Sequence, residues 1–182
     1  VCDGISKAFK QLCDLARINC NVVFGDSWNE YEKPQKHAWN MVKIDKDWYH
    51  IDVTWNINLS QRFKYVRYDY FNIRESDVIK DHRNFDKLEI CDSLKNNFFY
   101  ENKCILNGRN ELEKFLVDKL NNIKNNNASK NIYFKLYLKE NEDACSLISN
   151  AISKASIKTF YFSTGYTLNS NSTQNVYLIR LN

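Results

Sequence analysis

The strongest constraint on the fold is a pair of segments that are separated by only two residues. His37–Ile44 and Asp47–Thr54 are both rich in β-branched and aromatic side chains, which favour strands. A two-residue connection joins neighbouring strands as an antiparallel hairpin. The spacing therefore predicts a hairpin with its turn at Asp45-Lys46, in which Trp39 falls opposite Asp52.

Alternation along these strands predicts which side chains share a face. His37 and Trp39 lie on one face together with His50 and Asp52. Asp52 is then a diagonal neighbour of His37, with about 7–8 Å between the backbones, a gap that an imidazole and a carboxylate can close with a hydrogen bond. A register slip of one residue would put the two side chains on opposite faces.

An amphipathic helix is predicted just before the hairpin. Apolar residues recur at steps of three and four from Ile5 to Ala16, with charged residues between them. Asp3 and Gly4 precede this pattern, so Cys2 is expected at or next to the N-cap. The unpaired N–H groups and the positive end of the helix dipole favour a thiolate at that position.

The rest of the pattern predicts an α+β chain of two domains, 1–93 and 94–182, with a small ferredoxin-like second lobe that contains no histidine. The other predicted elements are a strand at Cys20–Phe24, a loop at Gly25–Lys36, a further strand within Ser60–Tyr70, a helical turn at Ser76–Lys80, helices at Glu111–Ile123 and Ala144–Ala155, an Asn-rich loop at Asn125–Asn127, and strands at Ile132–Leu138, Ile157–Ser163 and Val176–Leu181.

Composition excludes several classes of partner. The 182 residues include 26 Lys and Arg against 22 Asp and Glu, with the two signs interleaved, which argues against nucleic-acid binding. The stretch 60–74 is rich in basic residues and tyrosines, a combination that can bind nucleic acid, but a solvent-exposed face explains it equally well. No apolar run is long enough to cross a bilayer.

The chain starts at Val1-Cys2, so we expect it to begin inside a longer protein. Its localisation and its oligomeric state stay open.

The six cysteines predict neither a zinc ribbon nor a thioredoxin-type site, because no two stand in C-x-x-C spacing. We expect reduced thiols, most of them structural. No cofactor and no metal are predicted, and no acidic loop has calcium-ligand spacing. The alternative of a metal site formed by Cys2, His37, His50 and Asp52 is disfavoured.

Three residues offer the parts needed for nucleophilic acyl transfer. That chemistry requires an activated thiol, an imidazole that moves the proton, and an acid or amide that orients the imidazole. Cys2 at a helix start, His37 at a strand start and Asp52 on the neighbouring strand supply these parts.

The sequence around these residues resembles the transglutaminase-like branch of the papain-like cysteine enzymes. All three blocks of the resemblance occur in order: Val1-Cys2-Asp3-Gly4-Ile5-Ser6, His37-Ala38-Trp39-Asn40 and Trp48-Tyr49-His50-Ile51-Asp52-Val53-Thr54-Trp55. The resemblance covers about the first half of the chain. It assigns Cys2 as the nucleophile, His37 as the base and Asp52 as the orienting acid, and it implies a Cys-bearing helix packed on an antiparallel sheet.

The resemblance also implies a reaction. The Cys2 thiolate attacks an amide of a protein or peptide substrate, and water or an amine resolves the thioester. Trp39, Asp3 and Trp55 are expected to contact the substrate. The Cys2 N–H is the expected first oxyanion donor, and the second donor stays open between the Trp39 indole and a segment outside the chain.

The chain also resembles the segment that follows the triad in this family, at Tyr70-Phe71, Asp77 and His82. The resemblance implies that this segment packs beside the triad. Considered alone, His82 is predicted to be a satisfied surface or cap residue rather than a catalyst. The alternative function is a non-catalytic peptide-binding or assembly module that retains the papain-like cleft.

Overall fold

A computed structural model of the chain describes residues 1–28, 33–125, 128–140 and 142–182. The chain divides into two units, Val1–Glu101 and Asn102–Asn182. In chain order the elements of the first unit are α1 (Cys2–Leu15), β1 (Cys20–Ser27), β2 (Gln35–Ile44), β3 (Asp47–Ile51), α2 (Val53–Phe63), α3 (Glu75–Val78), β4 (His82–Arg83) and α4 (Phe98–Glu101).

The predicted hairpin is present, with the predicted register. β2 and β3 pair antiparallel from Ile44 opposite Asp47 to Asn40 opposite Ile51. Asp45 begins the two-residue turn with a positive φ of 55°, a conformation that short polar side chains tolerate in hairpin turns. The predicted second strand is three residues too long, because helix α2 begins at Val53.

The hairpin belongs to a four-stranded sheet in the order β3-β2-β1-β4. β1 pairs with β2 along its whole length, from Cys20 opposite Val42 to Ser27 opposite Gln35. The predicted short strand is therefore confirmed and extended, and residues 25–27 and 35–36 of the predicted loop Gly25–Lys36 are strand. Residues 29–32 of that loop lie outside the described residues.

Apolar side chains cover both faces of β2. On one face Val42 packs with Cys13 of α1, which confirms the predicted amphipathic helix, and with Tyr49. On the other face Trp39 and Met41 belong to a second buried cluster. β2 is therefore buried on both faces, and it is one of the two inner strands of the sheet.

The prediction of a strand within Ser60–Tyr70 is wrong. α2 continues to Phe63 and ends at Lys64, which has a left-handed φ of 48°. In the turn that follows, Arg67 donates two hydrogen bonds of 2.7 Å to Asp69, and both side chains are buried. The alternating aromatic and basic residues of Ser60–Tyr70 therefore lie on a helix end and a turn rather than on a strand. The predicted turn after it is confirmed as α3.

The second unit is α+β, as predicted, but it lacks the βαββαβ order of a ferredoxin-like domain. Its sheet has the order β5-β6-β8-β7, with β5 and β6 parallel and the other pairs antiparallel. The elements are β5 (Ile105–Asn107), α5 (Gly108–Lys124), β6 (Asn131–Tyr137), α6 (Ala144–Thr159), β7 (Tyr166–Asn171) and β8 (Val176–Leu181).

Both helices and two of the three predicted strands of this unit are confirmed. The predicted strand Ile157–Ser163 is wrong, because α6 continues through Thr159 and ends at Phe160, whose φ is 52°. The strand of this region lies later, at Tyr166–Asn171. Of the predicted loop Asn125–Asn127, the last two residues lie outside the described residues.

All six cysteines are free thiols in the structure. Among the described residues, no helix combines the length and the apolar character that crossing a membrane requires.

Gly25 allows β1, β4 and Trp39 to approach closely, which yields a first prediction. A Cβ at Gly25 would lie 2.7 Å from the Arg83 carbonyl oxygen and 2.8 Å from the Trp39 ring. We expect Gly25→Ala to lower the free energy of unfolding, measured in urea, by about 1–3 kcal/mol through overpacking. Gly4→Ala is the matched control, because nothing lies within 4 Å of the added carbon.

Gly4 lies within α1, so its replacement by alanine should raise the free energy of unfolding by about 0.5–1 kcal/mol. A Gly25→Ala protein as stable as the unmodified chain would contradict the close approach.

Candidate active site

Cys2 is the first residue of helix α1, as predicted. Val1 is the N-cap and provides no side-chain hydrogen bond. The first intrahelical hydrogen bond runs from the Ile5 N–H to the Val1 carbonyl at 3.1 Å, so the N–H groups of the first turn have no helical acceptor. The half-buried Cys2 thiol therefore lies at the positive end of a 14-residue helix.

Hydrogen bonds from two side chains fix α1 to the first half of β2. Pairing with β3 ends at Asn40, so the Ala38 carbonyl lies beyond the end of β3. The Ser6 hydroxyl donates to this carbonyl at 2.9 Å, and the Asn40 amide donates to the Ser6 carbonyl at 3.0 Å. Ser6 thus lies beside Ala38, and Cys13 further along α1 packs with Val42. Helix α1 therefore runs in the same direction as β2, and its first residue, Cys2, lies toward the start of β2, where His37 is located.

His37 and Asp52 form a buried hydrogen-bonded pair. Nε2 of His37 lies 2.6 Å from Oδ2 of Asp52, and the two residues are 8% and 1% exposed. Asp52 follows β3 directly and is the N-cap of α2, where its Oδ1 accepts the Trp55 N–H at 3.0 Å. The predicted contact therefore exists, although Asp52 is a helix cap rather than a strand residue.

His82 extends this pair into a hydrogen-bonded chain of five groups, from His37 to Tyr70. Its Nε2 lies 3.2 Å from Oδ2 of Asp52, the oxygen that also bonds His37, and its Nδ1 lies 2.7 Å from Oδ1 of Asp81. The Tyr70 hydroxyl donates to the other Asp81 oxygen at 2.7 Å. The prediction that His82 is a surface or cap residue is wrong, because His82 is completely buried.

The charges within this chain stabilise one another. Burial alone would raise the pKa of Asp52, but the hydrogen bonds from His37 and His82 lower it below its ordinary value. Burial alone would lower the pKa of His82, but its hydrogen bonds to Asp52 and Asp81 outweigh that effect and raise the pKa to about 9. His82 is accordingly an imidazolium at neutral pH.

Aromatic rings enclose the His37 imidazole. The ring centroids of Trp39, Trp55 and His82 lie 6.0, 5.7 and 5.5 Å from that of His37. Trp39 is completely buried, and its indole N–H donates to Nδ1 of His50 at 3.1 Å. That N–H is therefore already used in the interior and is not available as an oxyanion donor.

The other two residues expected to contact a substrate differ in exposure. Trp55 is half-buried beside His37, and Asp3 is exposed on the first turn of α1, where it accepts a hydrogen bond from Lys7 at 2.8 Å. Within the described parts of the chain, no hydrogen bond joins the Cys2 thiol to His37. The structure thus brings His37 and Asp52 together directly and places Cys2 by the docking of α1.

A metal ion fits this centre poorly. His37, Asp52 and His82 each offer a ligand atom, and these atoms lie within 4.8 Å of one another. However, both ring nitrogens of His82 face carboxylates, and an imidazolium has no free lone pair for a metal. His50 belongs to a separate contact, in which its Nε2 lies 3.1 Å from Glu75, so the four-residue metal site considered above does not form.

Comparison with known proteins gives partial similarity. No family model matches the chain. The chain is 26% identical over 121 residues to kyphoscoliosis peptidase of Homo sapiens, covering 56% of the chain and 18% of that protein. It is also 26% identical over 110 residues to kyphoscoliosis peptidase of Mus musculus, covering 52% of the chain and 17% of that protein. The chain thus spans less than a fifth of the length of these relatives.

This similarity supports the transglutaminase-like resemblance in part, because the relative belongs to the transglutaminase-like proteins and is named a peptidase. The similarity is consistent with an enzyme of the transglutaminase-like kind.

The raised pKa of His82 predicts a pH-dependent stability. Because the pKa is about 9 in the fold against 6.5 ordinarily, the stabilisation is complete below pH 6.5 and is lost as the pH rises through 9. We expect the free energy of unfolding to fall by on the order of 3 kcal/mol across this interval, measured in urea from pH 6 to 9.5.

The control is His82→Gln, which removes the titrating group. The difference in unfolding free energy between the two proteins should shrink as the pH rises. Parallel curves for the two proteins would contradict an imidazolium at position 82.

Proposed function

We propose that the chain is a transglutaminase-like cysteine enzyme that acts on protein or peptide amides through Cys2, His37 and Asp52. The observation that carries the proposal is the buried hydrogen bond of 2.6 Å between His37 and Asp52, near the start of strand β2, to which Ser6 of α1 is hydrogen-bonded. The similarity to a peptidase supports the same chemistry.

In this proposal Cys2 gives its thiol proton to His37, the sulfur forms a bond to the carbonyl carbon of an amide, and the carbon–nitrogen bond breaks. The leaving ammonia or amine takes its proton from His37, and a thioester remains on Cys2. His37 then removes a proton from the second nucleophile, which attacks the thioester and releases the thiolate. Water as the second nucleophile gives deamidation or peptide hydrolysis, and an amine gives transamidation.

The hydrogen bonding of His37 determines which of its nitrogens can move the proton. Nε2 is held by Asp52, so Nδ1 is the ring nitrogen left for proton exchange with Cys2 and the substrate. Asp52 orients the ring and stabilises the imidazolium that forms during the reaction.

The N-terminus of α1 supplies electrostatic stabilisation. The Cys2 N–H has no acceptor within the helix, and it lies next to the sulfur that forms the tetrahedral intermediate. As an oxyanion donor it contributes about 3 kcal/mol of transition-state stabilisation. Because the Trp39 indole is bonded to His50, we do not assign it as the second donor.

The first test compares the reactivity of Cys2 with that of the other thiols. Burial raises the pKa of Cys13, that of Cys20 and Cys91 to about 12, and that of Cys104 to about 11, so these thiols should react slowly. The exposed Cys145 is the matched control. We expect iodoacetamide to alkylate Cys2 at pH 7 about tenfold faster than Cys145, measured by peptide mass spectrometry.

His37→Ala should reduce the alkylation rate of Cys2 to that of Cys145, because the thiolate loses its imidazolium partner. Equal rates for Cys2 and Cys145 in the unmodified chain, with no effect of His37→Ala, would favour the non-catalytic peptide-binding module.

The second test measures turnover. Incorporation of a fluorescent primary amine into a glutamine-containing protein, ammonia release and peptide cleavage report the three acceptor reactions. Cys2→Ala should lower whichever rate is observed by about a thousandfold or more, because no other group forms the thioester. The unfolding free energy of Cys2→Ala should stay within about 1 kcal/mol of the unmodified chain.

Cys145→Ala is the control for turnover, because it removes an exposed thiol of the second unit and should keep the full rate. Unchanged turnover in Cys2→Ala would contradict the proposed nucleophile.

A further inference from the structure

We propose that His82 is a positioning residue of this centre, which holds the Asp52 carboxylate in the orientation in which it bonds His37. This inference rests on the proposed function for its catalytic meaning. Its geometry is independent of Cys2: His82 lies between two carboxylates, bonded at 3.2 Å to Asp52 and at 2.7 Å to Asp81, with no exposed surface.

The hydrogen-bond partners of His82 define its protonation state. A carboxylate only accepts hydrogen bonds, so an imidazole that bonds two carboxylates needs a proton on each ring nitrogen. Asp52 is ionised, because its pKa is lowered. The other oxygen of Asp81 accepts the Tyr70 hydroxyl. His82 thus provides a fixed positive charge and two fixed donors.

Three hydrogen-bond donors, only one of them from His82, restrict the Asp52 carboxylate. Oδ1 accepts the Trp55 N–H, and Oδ2 accepts both His37 and His82. A carboxylate held by donors from a helix terminus and two imidazoles cannot rotate without breaking a buried hydrogen bond. The Nε2 side of His37 is fixed as a result, and the plane of its ring is fixed with it.

His82 also supports the charge of Asp52. A completely buried carboxylate favours its neutral form unless donors and a cation compensate. Removal of His82 takes away one donor and one cation and leaves His37 as the remaining side-chain donor. Asp52 should then take up a proton at a higher pH, and a neutral Asp52 orients His37 less well.

Several titratable groups face His82 from the elements packed against it, and Asp52 and Asp81 are the two that raise its pKa. The facing groups are Asp52 at the start of α2, Asp81 before β4, Tyr70 between α2 and α3, His37 on β2 and His50 on β3.

The decisive experiment compares the unmodified chain with His82→Gln. The titration of the Asp52 carboxyl group is followed by carbon-13 NMR from pH 2.5 to 7, and the alkylation of Cys2 by iodoacetamide is followed over pH 4–9. In His82→Gln we expect both the Asp52 midpoint and the acid limb of Cys2 alkylation to move to higher pH, by on the order of one pH unit.

The matched control is His50→Gln, which removes another completely buried histidine that bonds Trp39 and Glu75 rather than Asp52. It should lower stability while leaving both midpoints within about 0.3 pH unit of the unmodified chain. A purely structural role of His82 would make the two variants behave alike and would overturn the inference.

A measurement on the unmodified chain keeps the inference testable if His82→Gln does not fold. The chain has three histidines, so the ring-nitrogen NMR signals are few. We expect both ring nitrogens of His82 to be protonated at pH 7, with loss of the proton near pH 9. A neutral His82 ring at pH 7 would overturn the inference.

The two proposals fail in different ways. If the Asp52 midpoint moves in His82→Gln but Cys2 reacts no faster than Cys145, the catalytic function is contradicted and the positioning of Asp52 stands. If Cys2 is reactive and the Asp52 midpoint does not move, the function stands and the role of His82 is overturned.

Discussion

The first unit depends on how one of its buried carboxylates, that of Asp52, is hydrogen-bonded. Asp52 is removed from water, which costs several kcal/mol for an unpaired ion, and three hydrogen bonds from His37, His82 and Trp55 compensate for that cost. These donors come from β2, β4 and the first turn of α2. The same interaction therefore caps a helix, ties a two-residue strand to the sheet and orients the imidazole of the candidate active site.

Local sequence patterns were sufficient to predict the hairpin and the pair His37–Asp52, because a two-residue turn leaves little freedom of register. They did not predict that Asp52 ends the strand and caps α2, since the strand-like residues continue past it to Trp55. Alternation correctly placed Trp39 on the face of His37 but gave no information about depth, and Trp39 is completely buried. The role proposed for Cys2 still depends on a resemblance and on partial similarity to a peptidase.

His82 could not be placed from local patterns, because it lies 30 residues from Asp52 and belongs to a strand of only two residues. The available signals were the Asp81-His82 dipeptide and the trailing segment of the family resemblance, and His82 does lie against His37 and Asp52. In the second unit, Ile157–Ser163 contains apolar and aromatic residues that suit a helix end as well as a strand. The left-handed conformation of Phe160 ends α6 there.

The hydrogen bonds at Asp52 also limit how this position can change in evolution. Among the described residues, the groups that hydrogen-bond to the carboxylate are all donors: two imidazole nitrogens and one backbone N–H. Asparagine has nearly the same shape, but its amide would direct N–H groups at one of these donors. An exchange of aspartate for asparagine would therefore need a compensating change, at His82 or at the start of α2, in the same lineage.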